Sequence, residues 1–238
     1  MSSLKTQMRR CTTCYTAAAD KPLKACSRCK SAAYCSRECQ KKDWPRHKPA
    51  CNHNADLAEA LKGHAETLEG QLQRFTLPDG ITLYELDQRL EKWVRFHNTT
   101  LMVVTMHAIR VTEDLMRART HVLYITLRAR PRKEHGDSAG KFFAIKDAQV
   151  LSIAEARKKE APWPESLDQL NSLQEDSEAN GRGQVAAAMV QCEPLAVQTV
   201  PFGSLRDIPG SVYNNWKARL MEDIEKGKKF DMRYGWTR

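Results

Sequence analysis

Apolar positions are unevenly distributed along the chain. After the turn signal Leu77-Pro78-Asp79-Gly80, Leu83, Leu86, Leu90, Trp93 and Val94 recur at helical spacing. Leu101, Val104, Ala108, Val111 and Leu115 repeat the pattern, with Met102, Met106 and Ile109 beside them. This second run is apolar on more than one side, which predicts a central, buried helix. Its methionines read as core filling. The period then shortens. Val122–Leu127 and Lys141–Ile145 are rich in β-branched and aromatic residues and predict strands, with a charged loop between them. Residues 150–153 suit either a strand or a helix start. Residues 162–180 are polar and partly acidic and predict a surface loop with helical pieces. Residues 185–191 and 196–200 predict a hairpin about Glu193-Pro194, and Trp216, Leu220 and Ile224, four apart, predict a last helix. Helices followed by strands predict an α+β domain over 81–238 rather than a βαβ repeat. There is no internal repeat and no run of 18 apolar residues, so no helical membrane span is predicted.

Upstream of residue 80 the pattern weakens. Leu57, Leu61, Leu68 and Leu72 mark a polar, helix-prone stretch, so residues 52–80 predict a helical linker. Before that, cysteine takes over. Seven of the eight cysteines lie within residues 11–51, as Cys11-x2-Cys14, Cys26-x2-Cys29, Cys35, Cys39 and Cys51, with His47 among them. The eighth, Cys192, stands alone in a strand pattern and reads as a small buried apolar residue. Eight Cys and His ligands suffice for two tetrahedral zinc ions. So short a segment cannot bury enough apolar surface to fold alone, and metal binding supplies the missing free energy. With four ligands each, neither ion keeps a place for a reactive water, which makes both architectural. Disulfides fit poorly: the segment's cysteine count is odd, and the basic tail 1–10 has no apolar signal core. Reduced thiolates predict an intracellular, reducing compartment, either nucleus or cytoplasm.

The ligands come with the Tyr34-Cys35-Ser36 step and the run Cys39-Gln40-Lys41-Lys42-Asp43-Trp44. His47 and Cys51 close the set at x7 and x3 spacing. Together these features resemble the MYND zinc finger, over residues 11–51. Spacing alone admits a sequential arrangement, the first four ligands against the last four. The resemblance implies an interleaved one instead. Cys11, Cys14, Cys35 and Cys39 would hold one zinc, and Cys26, Cys29, His47 and Cys51 the other, in a small cross-brace fold with short helices and little regular structure. MYND fingers are protein-interaction modules, and several take Pro-x-Leu-x-Pro-like segments. The residues that matching positions assign to such a peptide are Gln40 and Trp44. Local chemistry agrees. Ser36 suits a helix N-cap, and a short helix to Asp43 is ended by Pro45, with His47 on a second turn. Gln40 and Trp44, four apart, share a face. An indole packs on a proline ring while an amide bonds peptide backbone. Trp44 suits a cover over a zinc site equally well, and Tyr34 reads as a shield for sulfur.

Charge sharpens this. The formal net charge is +9, and residues 1–51 carry all of it, with 12 Lys and Arg against 3 Asp and Glu. Seven bound thiolates subtract seven charges and two zinc ions add four, leaving about +6. A basic patch attracts acidic protein surfaces or nucleic acid. The acidic protein is favoured, because the segment lacks the recognition helix of a DNA-reading finger.

MYND fingers also accompany SET-domain lysine methyltransferases. Those enzymes carry an Asn-His-x-Cys step and a Gly-rich turn for the methyl donor. Gly181-Arg182-Gly183 has the second shape, but Asn52-His53 is followed by Asn54 and Ala55, and the finger precedes the body rather than interrupting it. No P-loop, nucleophile elbow or His-Glu-x2-His is present. The sequence therefore points first to a zinc-dependent protein-interaction module, with transcriptional regulation as its expected setting. An enzyme with its active site in the body and the finger as recruiter comes second. A basic nucleic-acid-binding module comes third.

Overall fold

The computed structural model describes residues 11–18, 20–29, 32–206 and 211–230. The basic tail 1–10 lies outside them. Contacts divide the chain into two compact units, Met1–Glu69 and Gly70–Arg238.

In the first unit, strands β1 (Lys24–Ala25) and β2 (Ala33–Tyr34) pair antiparallel, with Lys24 opposite Tyr34. Helix α1 (Arg37–Ala65) follows. The Ser36 hydroxyl accepts the Cys39 N–H at 3.2 Å, so the cap is where the sequence placed it. The stop at Pro45 is not: α1 runs 29 residues straight through Pro45 and Pro49. Each proline deletes one helix donor. Both prolines are exposed, as is Lys41 four residues before Pro45, so the carbonyls left over lie on the solvated side. The opposite face buries Asp43, His47 and Cys51 at intervals of four. That face holds the helix together across its prolines. Helix α2 (Leu68–Gln73) begins in the first unit and ends in the second.

In the second unit, Asp79 and Gly80 take left-handed backbone (φ 60 and 63) at the expected turn. Helix α3 (Leu83–Ala108) begins with a capping box: Glu85 N–H donates to Thr82 Oγ1 at 3.1 Å and the Glu85 carboxylate accepts the Thr82 N–H at 2.8 Å. The sequence suggested two helices here, but there is one, because the polar residues between the apolar runs are themselves core. His97 and Thr100 are fully buried, and His97 Nε2 bonds the Gly140 carbonyl at 2.9 Å. Val111 and Leu115 fall beyond the helix, after Arg110 turns left-handed (φ 59).

After a helical turn α4 (Arg117–Thr120) come strand β3 (His121–Ala129), turn α5 (Arg132–His135) and strand β4 (Phe143–Ser152). The ambiguous residues 150–153 divide, with Ser152 ending β4 and capping the turn α6 (Ile153–Ala156). Helix α7 (Trp163–Ala179) replaces the expected surface loop. Its buried stripe is Trp163, Leu167, Leu170, Gln174 and Ser177, and the polar members concealed it. Gln174 Nε2 donates to the Ala118 and Val185 carbonyls, and Ser177 Oγ to the Gly183 carbonyl, so both are satisfied in place. Strands β5 (Gln184–Gln191) and β6 (Gln198–Leu205) form the expected hairpin, and α8 (Trp216–Lys226) carries the expected buried Leu220 and Ile224.

The sheet order is β4-β3-β5-β6. β3 runs parallel to β5, and the outer pairs are antiparallel. Alternation along β3 divides the core. Leu123 and Ile125 pack in one cluster with Leu90, Trp93 and Leu220 from α3 and α8. Val122 and Tyr124 pack in another with Trp163, Leu167 and Leu170 of α7. The domain is thus α+β, a mixed sheet between helical layers. Among the described residues no helix is long and apolar enough to cross a membrane.

Candidate metal centre

The first unit folds around sulfur. Among the described residues its buried cluster is Cys11, Cys26, Cys29, Tyr34 and Cys51, with the half-buried Leu23 the one large aliphatic packed against it. The turn holding Cys11 and Cys14 closes through Tyr15 N–H on the Cys11 carbonyl at 3.0 Å, with Tyr15 left-handed (φ 61). Thr12 clasps Ala33 from both sides: its N–H and hydroxyl donate to the Ala33 carbonyl, and its hydroxyl accepts the Ala33 N–H. Thr13 Oγ1 donates to the Cys39 carbonyl at 2.7 Å. These bonds carry the first knuckle to the start of α1.

Two ligand groups result, Cys11, Cys14, Cys35 and Cys39 in one and Cys26, Cys29, His47 and Cys51 in the other. Within each group all ligand atoms lie within 4.8 Å of one another. A tetrahedron with metal–sulfur bonds of about 2.3 Å sets its sulfurs about 3.8 Å apart. Here Cys14 and Cys35 Sγ are 3.4 Å apart, Cys35 and Cys39 Sγ 3.6 Å, and Cys26 and Cys51 Sγ 3.8 Å, while Cys29 Sγ is 3.5 Å from His47 Nε2. The donor sets and spacings fit two zinc ions. The grouping is interleaved in sequence, and it leaves each ion four donors and no open place. The groups differ in exposure. Cys14 is exposed and Cys35 and Cys39 half-buried, whereas all four members of the second group are buried.

Asp43 is the member of this site that sequence reasoning passed over. It is buried, accepts the Tyr34 hydroxyl at 2.7 Å and is gripped by Arg46 through Nε and Nη2 at 2.9 and 2.7 Å. Burial and this bond push the Tyr34 phenol well above its ordinary range. Tyr34 also stands edge-on to His47, ring centres 6.0 Å apart, so it braces the second group besides covering sulfur. The four-residue recurrence Asp43, His47, Cys51 was the available signal. Tyr34→Phe leaves the Asp43 carboxylate one donor short, and the finger should lose about 1–3 kcal/mol. Zinc competition with a graded chelator reads this directly, and an unchanged release midpoint would refute the bracing role.

Gln40 is half-buried on α1, and Trp44, one turn on, is 38% exposed. The Trp44 ring meets His47 edge-on at 6.1 Å. It therefore covers part of a ligand while offering the rest of its surface to solvent.

A small cysteine-built finger with two full, interleaved four-ligand sites is a structural zinc module. Residues 11–51 match the MYND finger family. A SET domain-containing protein 14 of Caenorhabditis elegans is 40% identical over 63 residues, 26% of this chain and 13% of that protein. N-lysine methyltransferase SMYD2-A of Danio rerio is 34% identical over 92 residues, 35% of this chain and 21% of that protein. A zinc finger MYND domain-containing protein 10 homolog of Drosophila melanogaster is 56% identical over 39 residues, 16% of this chain and 8% of that protein. The chain thus spans about a fifth or less of each of these relatives. No solved structure matches it.

The glycine step that resembled a methyl-donor turn has a local explanation. Gly181 and Gly183 take φ +62 and +91, and a Cβ at 183 would stand 2.3 Å from the Leu205 carbonyl oxygen. Both glycines serve the entry to β5. Cys192 is buried, and burial pushes its thiol up to about 11, so it is a poor nucleophile.

Proposed function

We propose that the MYND finger is a docking module that takes a proline-containing peptide segment of a protein partner across Gln40 and Trp44. In this reading the eight Cys and His residues hold two zinc ions that build the docking face, as in a recruiter of transcriptional regulators. The observation that carries it is the state of Trp44. A bulky aromatic 38% exposed, fixed edge-on against a zinc-site histidine and one helical turn from an amide, is a rigid anchor with its binding surface free. Rigidity lowers the ordering cost of association, and Trp is enriched among residues that dominate binding energy. The net charge of about +6 on the metal-loaded segment favours a partner with acidic residues flanking the proline.

Calorimetric titration of the zinc-loaded chain with a Pro-x-Leu-x-Pro peptide tests this. Trp44→Ala should weaken binding at least about tenfold, or about 1.4 kcal/mol, with two zinc ions retained. Equal affinity for both proteins would sink the reading. So would loss of zinc together with affinity, which would make Trp44 a cover for the metal.

A further inference from the structure

The second unit contains a crevice that the finger does not explain. β3 and β5 are parallel neighbours, and their pairing ends at Thr126 opposite Gln191. Beyond that point the chain leaving β3 turns outward to β4, and the chain leaving β5 turns outward to β6 on the other side. β3 itself runs three residues further, with Leu127, Arg128 and Ala129 still paired to Ile145, Ala144 and Phe143 of β4 after a bulge. A cavity of about 570 Å³ opens there, with Leu127, Ala129 and Cys192 among its lining. In open α/β sheets ligands bind where connections diverge from the carboxyl ends of parallel strands; the β3–β5 pair reproduces that divergence within a mixed sheet, and the volume is in the range of small-molecule sites.

The walls are pre-set. Leu77 and Pro78 line the cavity from the turn before α3, and Pro131 from the turn before α5. Asp79 joins the two turns, its carboxylate accepting the Arg132 N–H at 3.0 and 2.9 Å and an Arg89 guanidinium N–H at 3.4 Å. The charged lining is unequal. Arg128 and Glu134 pair with each other at 3.1 Å. Among the described residues Lys133, Lys146 and Glu193 also line the cavity and none of them forms an ion pair there. The lining thus holds two ammonium groups and one carboxylate outside any such ion pair, together with apolar Leu127, Ala129 and Pro78.

We propose that this crevice binds a small organic anion, a carboxylate or phosphate carried on an apolar body. The anion meets Lys133 and Lys146, the body lies on Leu127, Ala129 and Pro78, and Glu193 accepts from a donor on the ligand. The proposal is independent of the finger's function.

The test titrates the zinc-loaded full chain with phenyl phosphate, phenylacetate and neutral benzyl alcohol while following backbone amide resonances. Saturable shifts at residues 127–129 and 192 are expected with one or both anions. A stronger response to phenyl phosphate assigns a phosphate ligand, and to phenylacetate a carboxylate. Both lysines are exposed, so Lys133→Gln/Lys146→Gln should keep the fold and weaken anion binding about tenfold or more. The site is refuted by no saturable shift with either anion, by equal binding of benzyl alcohol, by undiminished binding in the double variant, or by shifts scattered over other lysines.

Discussion

Stripping zinc with a strong chelator should unfold the finger and leave the body folded. The finger's buried cluster consists of cysteines and Tyr34, so without metal it has almost no apolar surface to hold it. Structural zinc contributes roughly 10–16 kcal/mol per ion near neutral pH, more than the whole stability of most small domains. The body loses nothing, because its cores, built around Trp93 and Trp163, contain no ligand. Release should be stepwise. The group containing exposed Cys14 gives up its ion first, and the buried group with His47 follows. Circular dichroism would report loss of helical signal from the α1 segment, and limited proteolysis would cut within residues 11–65 before the body. Proteolytic resistance unchanged by chelation would overturn the metal-built finger. Release of both ions in one step would overturn the ranking of the two groups.

Trp93→Ala should do the converse and unfold the body while the finger keeps its zinc. Trp93 is fully buried on α3, 6.0 Å from the Phe143 ring and 5.0 Å from His97. It joins the helix to the sheet, and removing it opens a large cavity worth about 3–5 kcal/mol. For a domain of this size the melting temperature should fall by roughly 10–15 °C. Trp93→Phe should cost much less. Among the described residues the buried Trp93 Nε1 proton meets no hydrogen-bond partner, so the smaller ring gives up volume but also an unmet donor. Two zinc ions per chain should remain in both variants. Calorimetry with zinc analysis checks this, and loss of zinc in Trp93→Ala would show that the two units do not stand apart energetically.

The contrast between these variants mirrors what could be read from the chain. Chemistry that depends on residue type and near spacing was legible. The eight ligands, the Ser36 cap, the Asp79-Gly80 turn, the strand cores and the hairpin about Glu193-Pro194 all follow from such local rules. The errors have one cause. Pro45 read as a stop, the apolar runs 83–94 and 101–115 as two separate helices, and Gln174 and Ser177 as part of a surface loop. Each judgement used the residue's average preference, and in each case a distant partner outweighed it. The Gly140 carbonyl satisfies His97, the Ala118 and Val185 carbonyls satisfy Gln174, and the ligand face of α1 carries the helix past both prolines.

The sequence by itself determined that this is a zinc-built finger ahead of an α+β body, because metal ligands and hydrophobic period are properties of residues a few positions apart. Tertiary structure alone decided that Tyr34 rests on Asp43 and that β3 lies parallel to β5. It alone opened a basic crevice where those strands diverge. Those features join residues from 9 positions apart, in Tyr34–Asp43, to 114 apart, in Pro78 and Cys192 of the crevice, and no local pattern encodes which distant groups will meet. The meeting is fixed only when burial drives most polar groups to find partners.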